Sequence, residues 1–597
     1  MKSIEDMIAE AILAIKAVFL GKHPVVIAFS GGKDSSVVAN LVLLAAKEVT
    51  LEGESPMVVV MTGSTMVENP EVDIHFRVEL AKMKEYGDKH GFEVSTHIIQ
   101  PNILSTWQVQ VLTGRSLPSF AGTQAACSVE LKVKPQGVYR RKLFRELGSQ
   151  CKAAPVICLG TRREESAQRA ARMDERGESA LKSVLNKDGE LVLSPIADWT
   201  TDDVWEAIGL ASNGMTDSFS DFEECKRIYA HSESTSCAVV ADAISTGKKK
   251  GGCGARTGCF VCTQSSDKSL ENMINYDPRY AYAKGLVKFN KFLVATRYDW
   301  SRRNLIGRSI NAGFLRLQPD TYHPKMVREL FRYMLQLDYD EACRAEAEGV
   351  APMFRMMPIE MIIAIDAMWS LKGMAMPFAA WADYDNINSG RVRYDIPEIE
   401  AFKNTPLPEP KYLYVGDVRT ETNDFDGLRD AFFEAVTEMS SCGVDLVTTD
   451  DGRVVWDIDS NKIFSVDSES AQLIATFELD SMLAKYNAGF AVGGVTAAYK
   501  WYVQYGVLNV FRPLEHDETL RHTALKDRLG LSYEYDPDEL MAKAVGFDEM
   551  PEEARAVWSK KPATEADSKV ISIKEVSYVP DPEMGWFQQE IFESIAA

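Results

Sequence analysis

Six residues, Ser30-Gly31-Gly32-Lys33-Asp34-Ser35, stand between an apolar run at 25–29 and a second apolar stretch at 37–46. Paired glycines let a backbone approach a ligand closely, amides at a helix start point outwards, and Lys33 adds a positive charge beside them. That combination makes a phosphate cradle. It differs from the G-x-x-x-x-G-K-[ST] loop because Asp34 stands where that loop needs a hydroxyl. Further on, Arg162, Arg163 and Arg169 follow Gly160 closely and suit a polyanion. Cys237, Cys253, Cys259 and Cys262 offer four soft thiols, with Gly251, Gly252, Gly254 and Gly258 allowing tight wrapping. Four thiolates select zinc or an iron–sulfur cluster, and spacing alone does not separate the two.

Holding these groups takes strands that hand over to helices. Residues 25–29 read as a buried strand and 37–46 as the helix after it. Residues 57–61 read as a second strand ending in Thr62-Gly63-Ser64-Thr65, a helix begins near Glu68-Asn69-Pro70, and 93–99 is a third strand. Another strand at 155–160 runs into Gly160-Thr161-Arg162-Arg163-Glu164-Glu165-Ser166. This alternation predicts an α/β fold with a doubly wound parallel sheet. Ligands of such sheets lie beyond the carboxyl ends of the strands, which places Thr62 near the cradle. Thr200 or Thr201 caps a short helix beside Trp199 and Trp205. From Pro319-Asp320-Thr321-Tyr322 to about Lys372 the pattern is helical, and the methionines between Met353 and Met376 fill core. Residues 404–410 look like a linker. Asp450-Asp451-Gly452-Arg453 signals a hairpin, helical patterning resumes from Ala491, and 562–597 reads as a loosely held tail.

A chain of 597 residues exceeds what one core normally serves, so two or three domains are expected. Its net charge of -21 argues against a protein that holds nucleic acid by bulk electrostatics. Local basic tracks do exist. Lys248, Lys249 and Lys250 precede the cysteines, and Arg297, Arg302, Arg303 and Arg308 follow them with Tyr298 and Trp300 interleaved. Glu5, Asp6 and Glu10 interrupt the first apolar face, unlike a signal peptide, and no apolar run is long enough to span a bilayer. A soluble, cytoplasmic protein with no membrane partner is expected. Ten cysteines are too sparse for a disulfide scaffold.

Ser30 to Ser35 resembles the PP-loop, S-G-G-x-D-S, of enzymes that split ATP between its α and β phosphates. C-x-x-x-L-K-x-x-P at 127–135, G-x-R-x-x-E-S at 160–166 and P-I-x-D-W-T…D-V-W at 195–205 follow in order. Over roughly residues 20–235 the chain thereby resembles the phosphoadenosine phosphosulfate reductase-like family, with its adenine nucleotide α-hydrolase-like fold. Residues 251–263 with Asp267-Lys268-Ser269 resemble the cluster segment of its DNA sulfur-modification branch, which includes DndC and SspD. The expected divisions are a PP-loop domain at 1–235, an iron–sulfur and basic segment at 236–310, a helical region at 311–403, an α+β domain at 411–561 and the tail.

The resemblance implies an ATP- and Mg²⁺-dependent enzyme of DNA phosphorothioation, a phage-defence modification. ATP would be held by Ser30, Gly31, Gly32, Lys33, Asp34 and Ser35, with Thr62, Gly160, Arg162, Glu165, Ser166 and Arg169 around it. Lys33, Asp34, Arg162 and Cys127 would be catalytic, and Lys33 and Asp34 are expected on a surface loop whose substitution leaves the fold intact. Cys237, Cys253, Cys259 and Cys262 would carry a [4Fe-4S] cluster that relays sulfur or electrons. Cys127 reads as a sulfur carrier or as a buried small hydrophobe. Partners implied are DNA, a cysteine desulfurase and other sulfur-modification subunits. A rival is a sulfonucleotide reductase, but no cysteine follows Cys442 to make its E-C-G-L-H motif, and no two cysteines are adjacent. A non-catalytic ATP-binding subunit of a defence complex is the third reading.

Overall fold

The computed structural model describes residues 2–120, 126–151, 153–232, 258–264, 268–406, 408–416, 444–448, 454–458, 464–489, 494–510 and 513–559. Helix α1, Ile4–Leu20, opens on Ser3, which exchanges side-chain and backbone hydrogen bonds with Asp6. Then come β1 (Val25–Phe29), α2 (Lys33–Leu51), β2 (Met57–Gly63), α3 (Pro70–His90) and β3 (Glu93–Ile99). The helix α3 starts where Asn69 caps it and Pro70 takes its first turn. β4 (Val156–Cys158), β5 (Val184–Leu185) and β6 (Leu191–Leu193) complete a six-stranded sheet in the order β3-β2-β1-β4-β6-β5.

Neighbouring strands from β3 to β6 run parallel, as the alternation predicts. The edge strand β5 is the exception and pairs antiparallel with β6. A tight turn explains it: Gly189 takes a left-handed φ of 76° and the Asn186 amide donates to the Glu190 carbonyl at 2.8 Å. So short a connection can only reverse the chain. Val25, Ile27 and Phe29 face a cluster containing α1 and α2, whereas Val26 faces Leu143 and Leu147. Both faces of β1 are covered, and this is why its sequence is apolar without alternation.

One expected helix is partly a hairpin. β7 (Arg303–Asn311) and β8 (Phe314–Tyr322) pair antiparallel, and β9 (Lys411–Tyr414) adds to β8. Ala312 and Gly313 make the turn with φ of 49° and 76°. Pro319 sits within β8, where the register between Ile306 and Asn304 slips and no amide is needed. Helix begins only at Pro324–Glu348, capped by His323, followed by Ile359–Lys372 and Ala379–Asn388. Met356, Met357, Met361, Met368 and Met374 are buried in core, as read from sequence.

The hairpin expected near 450 is present as Val444–Thr448 against Val454–Ile458, its turn lying outside the described residues. Helical structure resumes earlier than Ala491, over residues 468–487. The tail at 562–597 lies outside the described residues. One hydrophobic cluster joins Trp107 and Leu112, Phe289 and Leu293, Trp369 and Trp381, and Tyr499 and Tyr502. It runs across the divisions expected at 235, 310 and 403–411.

Candidate functional site

β1 delivers Ser30 to the carboxyl edge of the sheet between β1 and β4, where the strand order reverses and sheets of this kind form a crevice. Gly31 has a left-handed φ of 74°, and a Cβ there would stand 3.1 Å from the Phe76 Cβ. Gly32 is extended and acts as the N-cap, so the amides of α2 that lack an intrahelical acceptor begin at Lys33. Ser35 Oγ accepts from the Ser30 amide at 3.2 Å and donates to the Gly32 carbonyl at 2.9 Å, closing the turn on itself. The two serine hydroxyls lie 3.1 Å apart.

Lys33 and Asp34 are not on a surface loop. They form the first turn of α2, and Lys33 is only 7% exposed. The lysine ammonium donates to Asp34 at 2.8 Å and Arg162 Nε donates to the other Asp34 oxygen at 2.6 Å. Arg162, itself buried, also bonds Glu164 at 3.1 Å, the Trp199 carbonyl at 3.3 Å and Thr201 at 3.2 Å. Its guanidinium therefore positions Asp34 instead of facing the crevice. The carboxyl end of β4 is butted against the cradle: a Cβ on Gly160 would meet the Asp34 carbonyl carbon and the Ser35 amide at 3.0 Å. Glu165 accepts from the Arg162 amide at 3.3 Å and pairs with Arg169, while Ser166 caps its helix by accepting from the Arg169 amide at 3.1 Å. These three hold the β4 loop together. Thr62 pairs in register with Phe29, and its buried hydroxyl has no hydrogen-bond partner among the described residues.

The motif order and this crevice agree with a comparison against known families. Residues 24–213 match the phosphoadenosine phosphosulfate reductase domain family. It is a family of sulfur-related, nucleotide-using enzymes. No curated protein matches the chain. The reductase-type domain contains the cradle, Cys127 and the Gly160–Ser166 loop, and it ends before the cysteine segment. Among the described residues no helix is long and apolar enough to cross a membrane.

The cysteine segment lies outside that domain. Cys237 and Cys253 fall outside the described residues, as do Lys248, Lys249 and Lys250. Cys259 and Cys262 share one turn, closed by the Cys262 amide on the Cys259 carbonyl at 2.9 Å. Phe260 and Val261 between them are buried in the large core, which leaves the thiols at its margin. The turn is stitched to the loop leaving β2: Cys259 bridges to Glu68, the Phe260 amide donates to the Val67 carbonyl at 3.0 Å, and Cys259 Sγ lies 3.6 Å from the Thr65 hydroxyl. From the other side Asn290 Nδ2 donates to the Phe260 and Cys262 carbonyls, both at 2.9 Å. Burial, with Glu68 adding to it, pushes the Cys259 thiol up to about 11, against the opposing charge of Lys132.

Cys127 is half-buried at the margin of the same core. Its amide donates to Ser119 Oγ at 3.4 Å, and the Ser119 carbonyl accepts from Thr263 at 3.0 Å. One serine thus links the Cys127 segment to the residue after Cys262. Sequence reasoning missed Tyr229, whose hydroxyl accepts from the Lys33 amide at 3.3 Å and whose ring lies 5.6 Å from the lysine ammonium. It also missed Glu68 and Asn290. No local signal marks any of them, since each acts on a residue far away in the chain.

Proposed function

We propose that this protein cleaves ATP to AMP and pyrophosphate in order to activate a DNA backbone phosphate, whose non-bridging oxygen is then replaced by sulfur. The observation that carries this reading is the Cys259–Cys262 turn fastened to the loop leaving β2. It brings thiols to the same sheet edge as the nucleotide cradle.

A phosphate oxygen is a poor leaving group. Its attack on the α-phosphorus of ATP expels pyrophosphate and makes that oxygen part of an AMP anhydride. A persulfide sulfur supplied by a cysteine desulfurase then forms the phosphorus–sulfur bond as AMP departs with the oxygen, and a thiol or other electron donor cleaves the remaining sulfur–sulfur bond. The amides from Lys33 onwards would hold the β and γ phosphates, which also draw Lys33 towards them. Asp34, held by Arg162, would receive Mg²⁺ once Lys33 has turned to the phosphates, since both its oxygens now engage cations. The orphan Thr62 hydroxyl and the close approach of Gly160 suit a ligand seated there.

The thiols of Cys259 and Cys262 suit an iron–sulfur cluster completed by Cys237 and Cys253, although among the described residues no three ligating side chains converge. Such a cluster would supply sulfur relay or electrons. Cys127, tied through Ser119 to the residue beside Cys262, would carry the persulfide. The matched family also favours a second reading, reduction of a sulfonucleotide, with sulfite as its product. Incubating the full chain with ATP, DNA and a desulfurase decides between them. Pyrophosphate with phosphorothioate in the DNA supports the proposal, and sulfite from a sulfonucleotide without pyrophosphate from ATP replaces it.

A further inference from the structure

Arg303 opens β7 directly opposite Tyr322, the last residue of β8. Both are inside the protein, 3% and 0% exposed. The Arg303 guanidinium lies 4.7 Å from the Tyr322 ring centre, 5.8 Å from Trp300 and 5.9 Å from Phe120. Nη2 donates to the Arg297 carbonyl at 2.5 Å, but among the described residues Nε and Nη1 have no acceptor and the Tyr322 hydroxyl has no partner. Among the described residues no carboxylate pairs with Arg303. The nearby Asp299 is committed to Arg302 at 3.1 Å.

A buried cation without a counterion carries a desolvation penalty that aromatic faces offset only in part. A second cation makes the imbalance larger. Arg297 stacks on the same Phe120 at 5.1 Å and on Tyr298 at 4.7 Å. Burial and then Arg297 oppose the charge on Arg303, which a guanidinium nevertheless keeps. Two guanidinium groups, three buried polar atoms without partners and four aromatic rings therefore lie around one point. Its place is informative. Phe120 adjoins Ser119, the residue that links the Cys127 segment to Thr263 beside Cys262.

We propose that Arg303 and Arg297, walled by Phe120, Trp300 and Tyr322, bind a phosphate-class oxyanion next to the cysteines. An anion of this kind accepts from several donors at once and satisfies the guanidinium nitrogens that the protein leaves unpaired. The oxyanion is either a free inorganic ion or an internucleotide phosphodiester, in which case the aromatic walls take the adjoining sugar or base. Only the second source rests on the function proposed above.

The test titrates inorganic phosphate, and separately a labelled single-stranded oligonucleotide, into the full chain and its Arg303→Gln, Arg297→Gln and Lys33→Ala variants. Lys33→Ala should retain the phosphate site that the arginine variants lose, which separates this site from the cradle. Each arginine variant should lose about tenfold in phosphate affinity or more, since one charge-assisted pair is removed. If Arg303→Gln does not fold, Arg297→Gln, whose side chain is half-buried, carries the test. A parallel loss of oligonucleotide binding assigns the phosphodiester, and a loss confined to phosphate assigns the free ion. No phosphate binding by the parent, or equal binding by Arg297→Gln, overturns the proposal. Failure of the ATP reading would register separately, as absent pyrophosphate with phosphate binding intact.

Discussion

Six consecutive residues, Ser30 to Ser35, make the cradle between one strand and the helix that follows it, whereas the Cys259–Cys262 turn takes its contacts from Thr65, Val67 and Asn290. The first site needs β1, α2 and the β4 loop. The second needs the large core that packs residues from all parts of the chain. A contiguous site is expected to respond to substitution mainly in its chemistry, and an assembled one mainly in whether it forms.

The largest effect should come from Asp34→Ala, which tests how sharply chemistry and fold separate in the cradle. Pyrophosphate release should fall about 10²–10³-fold or more. Removing the carboxylate also strands Lys33 and the buried Arg162, at a cost of about 3 kcal/mol in denaturant unfolding. Full stability would show that the ion pairs are dispensable. Cys127→Ser should keep ATP cleavage but lose sulfur transfer to DNA, measured as phosphorothioate per folded molecule by mass spectrometry. Normal transfer would leave Cys127 as a packing residue only.

Gly160→Ala sharpens the comparison through a matched control. Its Cβ would strike the cradle backbone at 3.0 Å, so a loss of about 1–3 kcal/mol and weaker ATP binding are expected. Gly209→Ala, in the helix Thr201–Ser212 with nothing within 4 Å, should stabilise by about 0.5–1 kcal/mol. On the other side, Asn290→Ala removes both hydrogen bonds to the cysteine turn at about 1–3 kcal/mol. Iron content of anaerobic preparations should drop while ATP cleavage without DNA persists. Equal loss of both would mean the two sites form one cooperative unit.

The smallest effect concerns the core behind the cysteine turn. Asp366 is buried and its carboxyl is pushed up to about 7, chiefly by burial, although Ala380 and Tyr502 donate to it. A raised folded value means that the stability it contributes is full below the ordinary carboxylate range and is lost as pH rises towards 7. The melting temperature of Asp366→Asn relative to the parent should climb between about pH 4 and 7 and level off above. A flat difference would show that the folded carboxyl titrates like an unfolded one and that Asp366 is already charged well below pH 7.

The sheet was legible because its signals are local. β3 lies at the expected 93–99, Asn69-Pro70 starts α3, and Thr200 caps its helix as read. The hairpin of β7 and β8 was missed because Asn311-Ala312-Gly313 is a weak turn signal and Pro319 argued against a strand. The cradle was legible as a motif but not as a structure, because nothing in Lys33-Asp34 indicates that Arg162 will bury against it.

From its sequence alone this protein is determined to have a glycine-containing strand–turn–helix loop in a doubly wound sheet, with a cysteine pair further along the chain. Hydrophobic period, glycine placement and capping residues act within a few positions, and a reader of the chain sees them directly. Tertiary structure alone decided that Tyr229 reaches the Lys33 amide 196 positions earlier, that Cys259 bridges to Glu68, and that Arg303 is buried among aromatics with no carboxylate partner among the described residues. Those contacts follow from how apolar faces of distant segments satisfy one another in a shared core, and that choice is made by the whole chain at once.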